Sequence, residues 1–481
     1  MNRILCSTFL ILASLSSRSQ IEYSLNQIID LARQQSSVAK QAETRKENRF
    51  WQYRLFKANY NPQLALSGQV PGYNRDFLQN RLDDGTISFI SREQTSSSLN
   101  LGLLQPIALT GGNVSVNSRV RQFDDISRDI TQWNSTLVDV RLNQPIFAFN
   151  QLIWDRKIEP LRFEESKRGY VEEMEFVSRR SVERFFDYLD AQVNLQIATF
   201  NLANNDTIYN IEKGRYNIGT TSEDKLLQVE LQLLRSRQDV AQANLDLQNS
   251  RLGLRTFVGL NEDEAFNLSL PEAIPEFVVQ EAIALSYAET NRADFISFER
   301  RRLEADRQVA EAKGQRFQMD LNASFGLNSA GNSLNESYMD ANSQQAFNLS
   351  LNIPIINWGR NEARMKTALA NKKLIDYVID QEEQNFEQEV LTQVRQLDVL
   401  KLQIEISQKS DEVAQKRYDV AQNRYLIGKI DITNLNIALT EKDNAKRSYI
   451  GALRTFWIAY YDLRRLTLYD FVGNRLLYTA E

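Results

Sequence analysis

The chain of 481 residues has no histidine, one cysteine, 8 prolines and 18 glycines. Without an imidazole, neither a Ser-His-Asp or Cys-His triad nor a histidine-rich zinc or iron site can be built. A lone thiol, Cys6, excludes CxxC pairs, cysteine-ligated clusters and internal disulfides. A net charge of −5 leaves no basic surface for nucleic acid. Chemistry on carboxylates and lysines stays open, but there is no P-loop, no GxGxxG following a strand and no EF-hand loop. Glu172 with Glu173, and Glu382 with Glu383, are neighbours on helices, point to different faces and read as solvated charge. No catalytic residue, metal ligand or cofactor is assigned. Long apolar runs are missing too. Beyond the first 20 residues the longest, Thr455 to Tyr461, falls far short of the ~20 residues that a spanning helix needs.

What is present begins with a leader-like N-terminus. Arg3 supplies a positive start, Ile4 to Leu15 an apolar stretch, and Ser16 to Gln20 a small, polar cleavage region. Cys6 lacks a lipobox. Cleavage within about residues 16–20 would remove Cys6, Arg3 and Arg18 and shift the charge from −5 to −7. Any later entry into a membrane would then require a closed β-barrel.

An internal duplication organises the rest. Arg215-Tyr216-Asn217-Ile218-Gly219 recurs as Arg424-Tyr425-Leu426-Ile427-Gly428, an offset of 209 residues. The same offset aligns Leu142-Asn143-Gln144-Pro145-Ile146 with Leu351-Asn352-Ile353-Pro354-Ile355. The expected domains are a leader over 1–20, a first repeat over 21–269, a linker over 270–276 around Pro271 and Pro275, and a second repeat over 277–481. Each repeat reads as an opening helix (Ser24 to Tyr60; Phe277 to Arg316), a β region, a long helix, a glycine turn and a return helix. The turns are expected at 216–221 and 425–430.

The return helices carry heptad seams. Leu226, Leu233, Val240, Leu247 and Leu254 alternate with Val229, Ser236, Ala243, Ser250 and Phe257. At +209 stand Leu435, Lys442, Tyr449, Phe456 and Leu463, with Ala438, Ala445, Ala452, Ala459 and Leu466 between them. Small residues here let helix backbones approach closely. The long helices, about 60 residues from Pro160 and about 70 from Trp358, would reach about 90–100 Å at 1.5 Å per residue. Such lengths suit an elongated bundle or a tube.

Between helices, over about 62–147 and 318–355, apolar and polar residues alternate. Leu99, Leu101 and Leu103 stand against Ser98, Asn100 and Gly102; Phe347, Leu349 and Leu351 stand against Asn348, Ser350 and Asn352. Four such strands fall in the first repeat and two in the second. The pattern fits membrane strands around a wet lumen, though a soluble sheet with one buried face alternates in the same way. Tyr60, Tyr73, Trp133, Phe147, Trp154 and Trp358 lie near strand ends, where an interfacial aromatic girdle would sit.

In its Tyr-x-Ile-Gly turns, its Leu-Asn-x-Pro-Ile strand ends and the order of its duplicated elements, the whole mature chain resembles the TolC-like outer-membrane efflux factor family. The resemblance implies a mainly α fold with a membrane β region: coiled-coil helices forming an α-barrel, and strands contributed to a shared trimeric transmembrane β-barrel. It implies a homotrimer in outer-membrane lipid, with the helical part in the periplasm. Its partners would be a periplasmic adaptor (membrane fusion) protein and an inner-membrane pump of RND or ABC type. Ile218, Gly219 and Thr220, with Ile427, Gly428 and Lys429, become the adaptor-docking tips. The aspartate ring that narrows the tip in some members falls here on Asn434 and Ile437 and is not reproduced. Glu223, Asp224, Asp431 and Asn434 are the residues near that constriction. The family typically has four strands per protomer, so the pair flanking Thr110-Gly111-Gly112-Asn113 is extra, and either enlarges the barrel or folds beside it.

The expected function is therefore a passive outer-membrane exit duct of a tripartite efflux pump or type I secretion system. The alternative is a secreted filament or surface protein of flagellin type, which shares the Asn/Gln-rich, Cys/His-poor composition.

Overall fold

The computed structural model describes residues 21–260, 266–271 and 273–478; the leader assigned to 1–20 lies outside them. In chain order the elements are β1 (Ile21–Tyr23), α1 (Leu25–Gln35), α2 (Ser37–Ala58), β2 (Gln63–Arg81), β3 (Ile87–Ile107), β4 (Gly112–Asp125) and β5 (Ile130–Ile146). Then come α3 (Gln151–Asn217), α4 (Glu223–Val258), β6 (Phe266–Leu268), α5 (Glu281–Asn291) and α6 (Ala293–Gly314). The chain ends through β7 (Gln318–Gly331), β8 (Asn342–Asn352), α7 (Arg360–Leu426), α8 (Ile432–Thr467), β9 (Tyr469–Asp470) and β10 (Arg475–Leu476). Helices α3 and α7 have 67 residues each, and α4 and α8 have 36 each. The starts of both second-half helices, 360 and 432, lie 209 residues beyond those of their first-half counterparts, 151 and 223. At 1.5 Å per residue, α3 and α7 are each about 100 Å long. Among the described residues no helix is long and apolar enough to cross a membrane.

Three helix boundaries differ from expectation. The first opening helix is two helices, because Ser36 takes an extended conformation (φ −62°, ψ 145°). Its N–H closes α1 on the Ala32 carbonyl at 3.0 Å, and its hydroxyl accepts the Ala39 N–H at 3.1 Å, so one residue caps two helices. Arg292 (φ −74°, ψ 147°) separates α5 from α6 in the same manner. The first long helix starts at Gln151, ahead of Pro160, since the Asn150 side-chain oxygen receives the Leu152 and Ile153 N–H groups at 3.0 and 3.4 Å. Pro160 then lies inside α3, where it removes one ladder bond.

Two compact units share the chain. The first comprises 1–44, 170–292 and 388–481, and its described residues are mainly helical. Its core holds Phe185, Phe186, Leu254, Leu397, Ile450, Leu453 and Phe456, all less than 2% exposed. Burial of each such side chain contributes about 1.5–3 kcal/mol. The α8 seam is buried throughout its large positions, and Ala438, Ala452 and Ala459 are buried between them. On α4, buried Ser236 accepts a 2.6 Å hydrogen bond from Asn205 Nδ2, so a small seam position also satisfies a buried amide. Two short strand pairs, parallel β1–β6 and antiparallel β9–β10, complete the unit and were not anticipated.

A buried ionic cluster ties this unit together. Glu175 is fully buried, and both its oxygens accept from Arg464, at 2.9 and 3.2 Å, while Arg33 adds a third bond at 3.1 Å. The Tyr460 hydroxyl donates to Asp470 at 2.9 Å, and Arg464 lies 3.4 Å from the same carboxylate. Burial opposes the Arg464 charge, but Glu175 and the neighbouring tyrosines outweigh it and raise the guanidinium pKa. Burial pushes the Tyr461 hydroxyl up to about 12.

The second unit, 45–169 and 293–387, carries a six-stranded antiparallel sheet of order β2-β3-β4-β5-β7-β8. Both strands flanking the Gly111 turn, where φ is +78°, lie inside this sheet and not beside it. Register places Leu66, Leu101, Val116, Val140, Phe325 and Leu349 on one face. Ser67, Asn100, Asn117, Asp139, Arg141 and Asn322 take the other.

Removing one member of a buried charge cluster leaves the others uncompensated. Arg464→Ala should therefore cost about 3–5 kcal/mol in urea unfolding followed by helical circular dichroism. Arg395→Ala, which breaks only the exposed pair with Glu281, should leave the same curve unchanged.

Candidate functional site

The two turns joining α3 to α4 and α7 to α8 are built alike. Gly219 and Gly428 both sit at φ +73°, a conformation that favours glycine. Gly219 N–H bonds the Tyr216 carbonyl at 2.9 Å, and Thr220 N–H bonds the Arg215 carbonyl at 2.9 Å. In the second turn, Gly428 reaches Tyr425 at 2.9 Å and Lys429 reaches Arg424 at 2.8 Å. This pair of bonds is a Schellman motif, which satisfies the last helix carbonyls locally. Ile218 and Ile427 project from these turns, 75% and 66% exposed.

The acidic residues beyond the turns divide. Asp431 caps α8, accepting the Asn434 N–H at 2.9 Å and the Asn434 side-chain amide at 2.8 Å, so these two residues bond each other. Glu223 and Asp224 stand exposed in the first turn of α4, where acidic charge suits the helix dipole.

Beneath the turns, Ile208, Val229, Tyr418, Tyr425, Ile432, Leu435 and Leu439 form a buried cluster from all four helices. Tyr425 donates to Glu212 at 2.7 Å; Arg215 also donates to Glu212 at 2.6 Å and lies 5.4 Å above the Tyr425 ring. Burial would raise the Glu212 pKa, but the bonds from Tyr425, Arg215 and Thr221 outweigh it and hold the carboxyl below its usual 4.5. Tyr425 itself is raised by burial and by Glu212. Nearby, Lys442 is buried with its ammonium 4.2 Å from the Phe200 ring, 4.6 Å from the Tyr418 ring and 3.5 Å from Asp443. Burial pushes the Tyr418 hydroxyl up to about 12.

Sequence reasoning missed the Glu212–Tyr425 link, whose partners lie 213 positions apart. It also missed two exposed stripes. On α4, Leu227, Leu231, Leu234, Leu245 and Leu252 are exposed; on α7, so are Val399, Leu402, Ile406, Val413 and Val420. The α7 set follows 3-, 4- and 7-residue spacing, and the α4 set does so apart from an 11-residue step between Leu234 and Leu245; both could have been found as a second heptad frame beside the buried one.

In the strand-bearing unit, Phe147 and Trp358 are 71% and 95% exposed, as girdle residues would be. Tyr60 is instead a packing residue whose hydroxyl donates to the Leu152 carbonyl at 2.7 Å.

A sheet whose register puts apolar side chains on one face and polar ones on the other has the alternation of an outer-membrane channel wall. Comparison with known proteins places the chain within that class. The family model for outer membrane efflux proteins matches residues 127–260 and 284–467, and the chain belongs to this family. Its fold is similar to that of the Campylobacter jejuni CmeC outer membrane channel: 16% identity, 97% of this chain and 93% of that one, TM-score 0.68. It is also similar to the Vibrio cholerae outer membrane protein VceC, at 15% identity, 92% and 95% coverage and TM-score 0.64. The open state of the Neisseria gonorrhoeae MtrE outer membrane channel matches at 17% identity, 92% and 88% coverage and TM-score 0.60. No curated protein matches the chain. The protein is thus an efflux channel of the outer membrane, and nothing supports the filament alternative.

Because the Glu212 pKa is lowered, its contribution is fully present above 4.5 and is lost as pH falls through the lowered value. Amide exchange at residues 210–218, corrected for intrinsic rates, should accelerate below about pH 4.5 in the native protein. In Glu212→Gln that acid-dependent step should be absent.

Proposed function

We propose that three copies of the chain form the exit duct of a tripartite efflux pump or type I secretion system. In this reading the duct conducts small molecules or polypeptides passively, and the energy comes from an inner-membrane pump of RND or ABC type. The helical part stands in the periplasm and the strands in outer-membrane lipid. A periplasmic adaptor docks on Ile218, Gly219 and Thr220 and on Ile427, Gly428 and Lys429. The observation that carries this reading is the pair of turns with identical glycine conformation, each presenting an exposed isoleucine on a rigid helix end. The exposed stripes of α4 and α7 support self-assembly, since unpartnered heptad seams lose their apolar surface by packing on a second copy. Glu223, Asp224, Asp431 and Asn434 line the narrowing at the tips. The division into a first repeat over 21–269, a linker over 270–276 and a second repeat over 277–481 belongs to the same proposal. It is supported by the equal lengths of the paired helices.

Membrane fractionation should recover the protein in the outer membrane, as trimers by native mass spectrometry; a soluble filament would defeat the reading. Gly219→Glu and Gly428→Glu should abolish export while trimers persist. A Cβ at either glycine meets nothing within 4 Å, so only backbone strain of about 1–2 kcal/mol is added. Gly219→Asn and Gly428→Asn, which tolerate that conformation, should retain export. Unchanged export in the charged variants would remove the docking assignment.

A further inference from the structure

The sheet leaves two edges bare, β2 and β8. Every residue of β8 is exposed, and β2 is exposed over most of its length. An unpaired strand edge cannot stand in hydrocarbon, so both edges need an occupant. Resting on the three-copy assembly above, we propose that β8 of each copy pairs with β2 of the next and closes an 18-stranded barrel, the pair around Gly111 being part of its wall.

Three observations favour a second copy as the occupant. The first is direction. With six antiparallel strands, β2 leaves the helix side of the sheet and β8 returns to it, so adjoining copies present antiparallel edges. The second is length and pattern. β8 has 11 residues, the length of a tilted membrane strand, and presents Phe347, Leu349 and Leu351 on the apolar face; the first third of β2 presents Leu64 and Leu66 on the same face.

The third is stagger. A line across the sheet runs Gln63, Leu104, Ser115, Arg141, Ser324, Ala346. These residues lie 0, 3, 3, 5, 6 and 6 positions from the helix-side ends of their strands, which are Gln63, Ile107, Gly112, Ile146, Gln318 and Asn352. A rise of six residues, about 20 Å, over five interstrand steps of about 4.8 Å gives a tilt of about 40°. That is the tilt of a membrane barrel wall. If the helix-side ends are level at the new junction, Asn352 meets Gln63 and Ser350 meets Ala65, both on the polar face. The backbone diameter would then be about 34 Å, against about 22 Å for the 12 strands that four per copy would close.

The test uses the full chain, in which Cys6 is the only native thiol. Ala65→Cys with Ser350→Cys should give a covalent trimer on non-reducing gels, since directly opposed Cβ atoms lie within disulfide reach. Each single variant should stay monomeric there. Electron cryomicroscopy of the native trimer should show 18 strands in cross-section. A 12-stranded wall, or intact trimers in which the double variant never cross-links, would overturn the inference while sparing the trimeric duct. Monomers by native mass spectrometry would instead remove the assembly on which it rests, and the inference with it.

Discussion

Hydrocarbon tolerates no unpaired backbone: each bare N–H or C=O within it costs several kcal/mol. Strands meet that demand through the ladders they share with their neighbours. The alternation of the sheet follows, because a period of two puts Leu99, Leu101 and Leu103 on one face and Asn100 and Gly102 on the other. So does the register, since a slip of one residue would turn Arg119 and Arg141 toward lipid. At Gln69/Gly72 and Thr136/Val138 the register shifts, interrupting the ladder locally, and pairing resumes on both sides.

The helical unit answers an equivalent demand with water nearby. Helix ends carry unpaired groups, and the tips satisfy theirs through backbone bonds at Gly219 and Gly428. The Ser36 junction satisfies two sets with one residue, its N–H closing α1 and its hydroxyl capping α2. Deeper in the unit, Glu175 is paired with Arg464 and Arg33, and Glu212 with Tyr425 and Arg215. Apolar burial drives the packing, and these polar contacts select one arrangement of helices that otherwise resemble one another along their length.

Regular features were legible in the sequence and singular ones were not. Strand alternation, the buried heptad frames and both glycine turns repeat locally, so a few residues declare them. The breaks at Ser36 and Arg292 rest on one extended residue each; serine favours helix N-caps but also occurs within helices, and arginine is at home there. Pro160 misled by its type, because a helix of 67 residues absorbs one lost bond. Strands β1 and β6 have three residues each, too short for any period to register. The Glu212–Tyr425 bond was invisible for another reason. The residue 209 positions beyond Glu212 is Ala421, so the duplication carries no second copy of the pair.

That last asymmetry bears on how the tips tolerate change. Tyr216 and Tyr425 hold matching places in turns of the same backbone shape, yet the first is 41% exposed and the second 2%. The loop geometry is closed by its own main chain and does not depend on the layer beneath. Shape and support are therefore separable: the side chains under each tip are free to diverge in chemistry while the backbone outline of the tip stays constant.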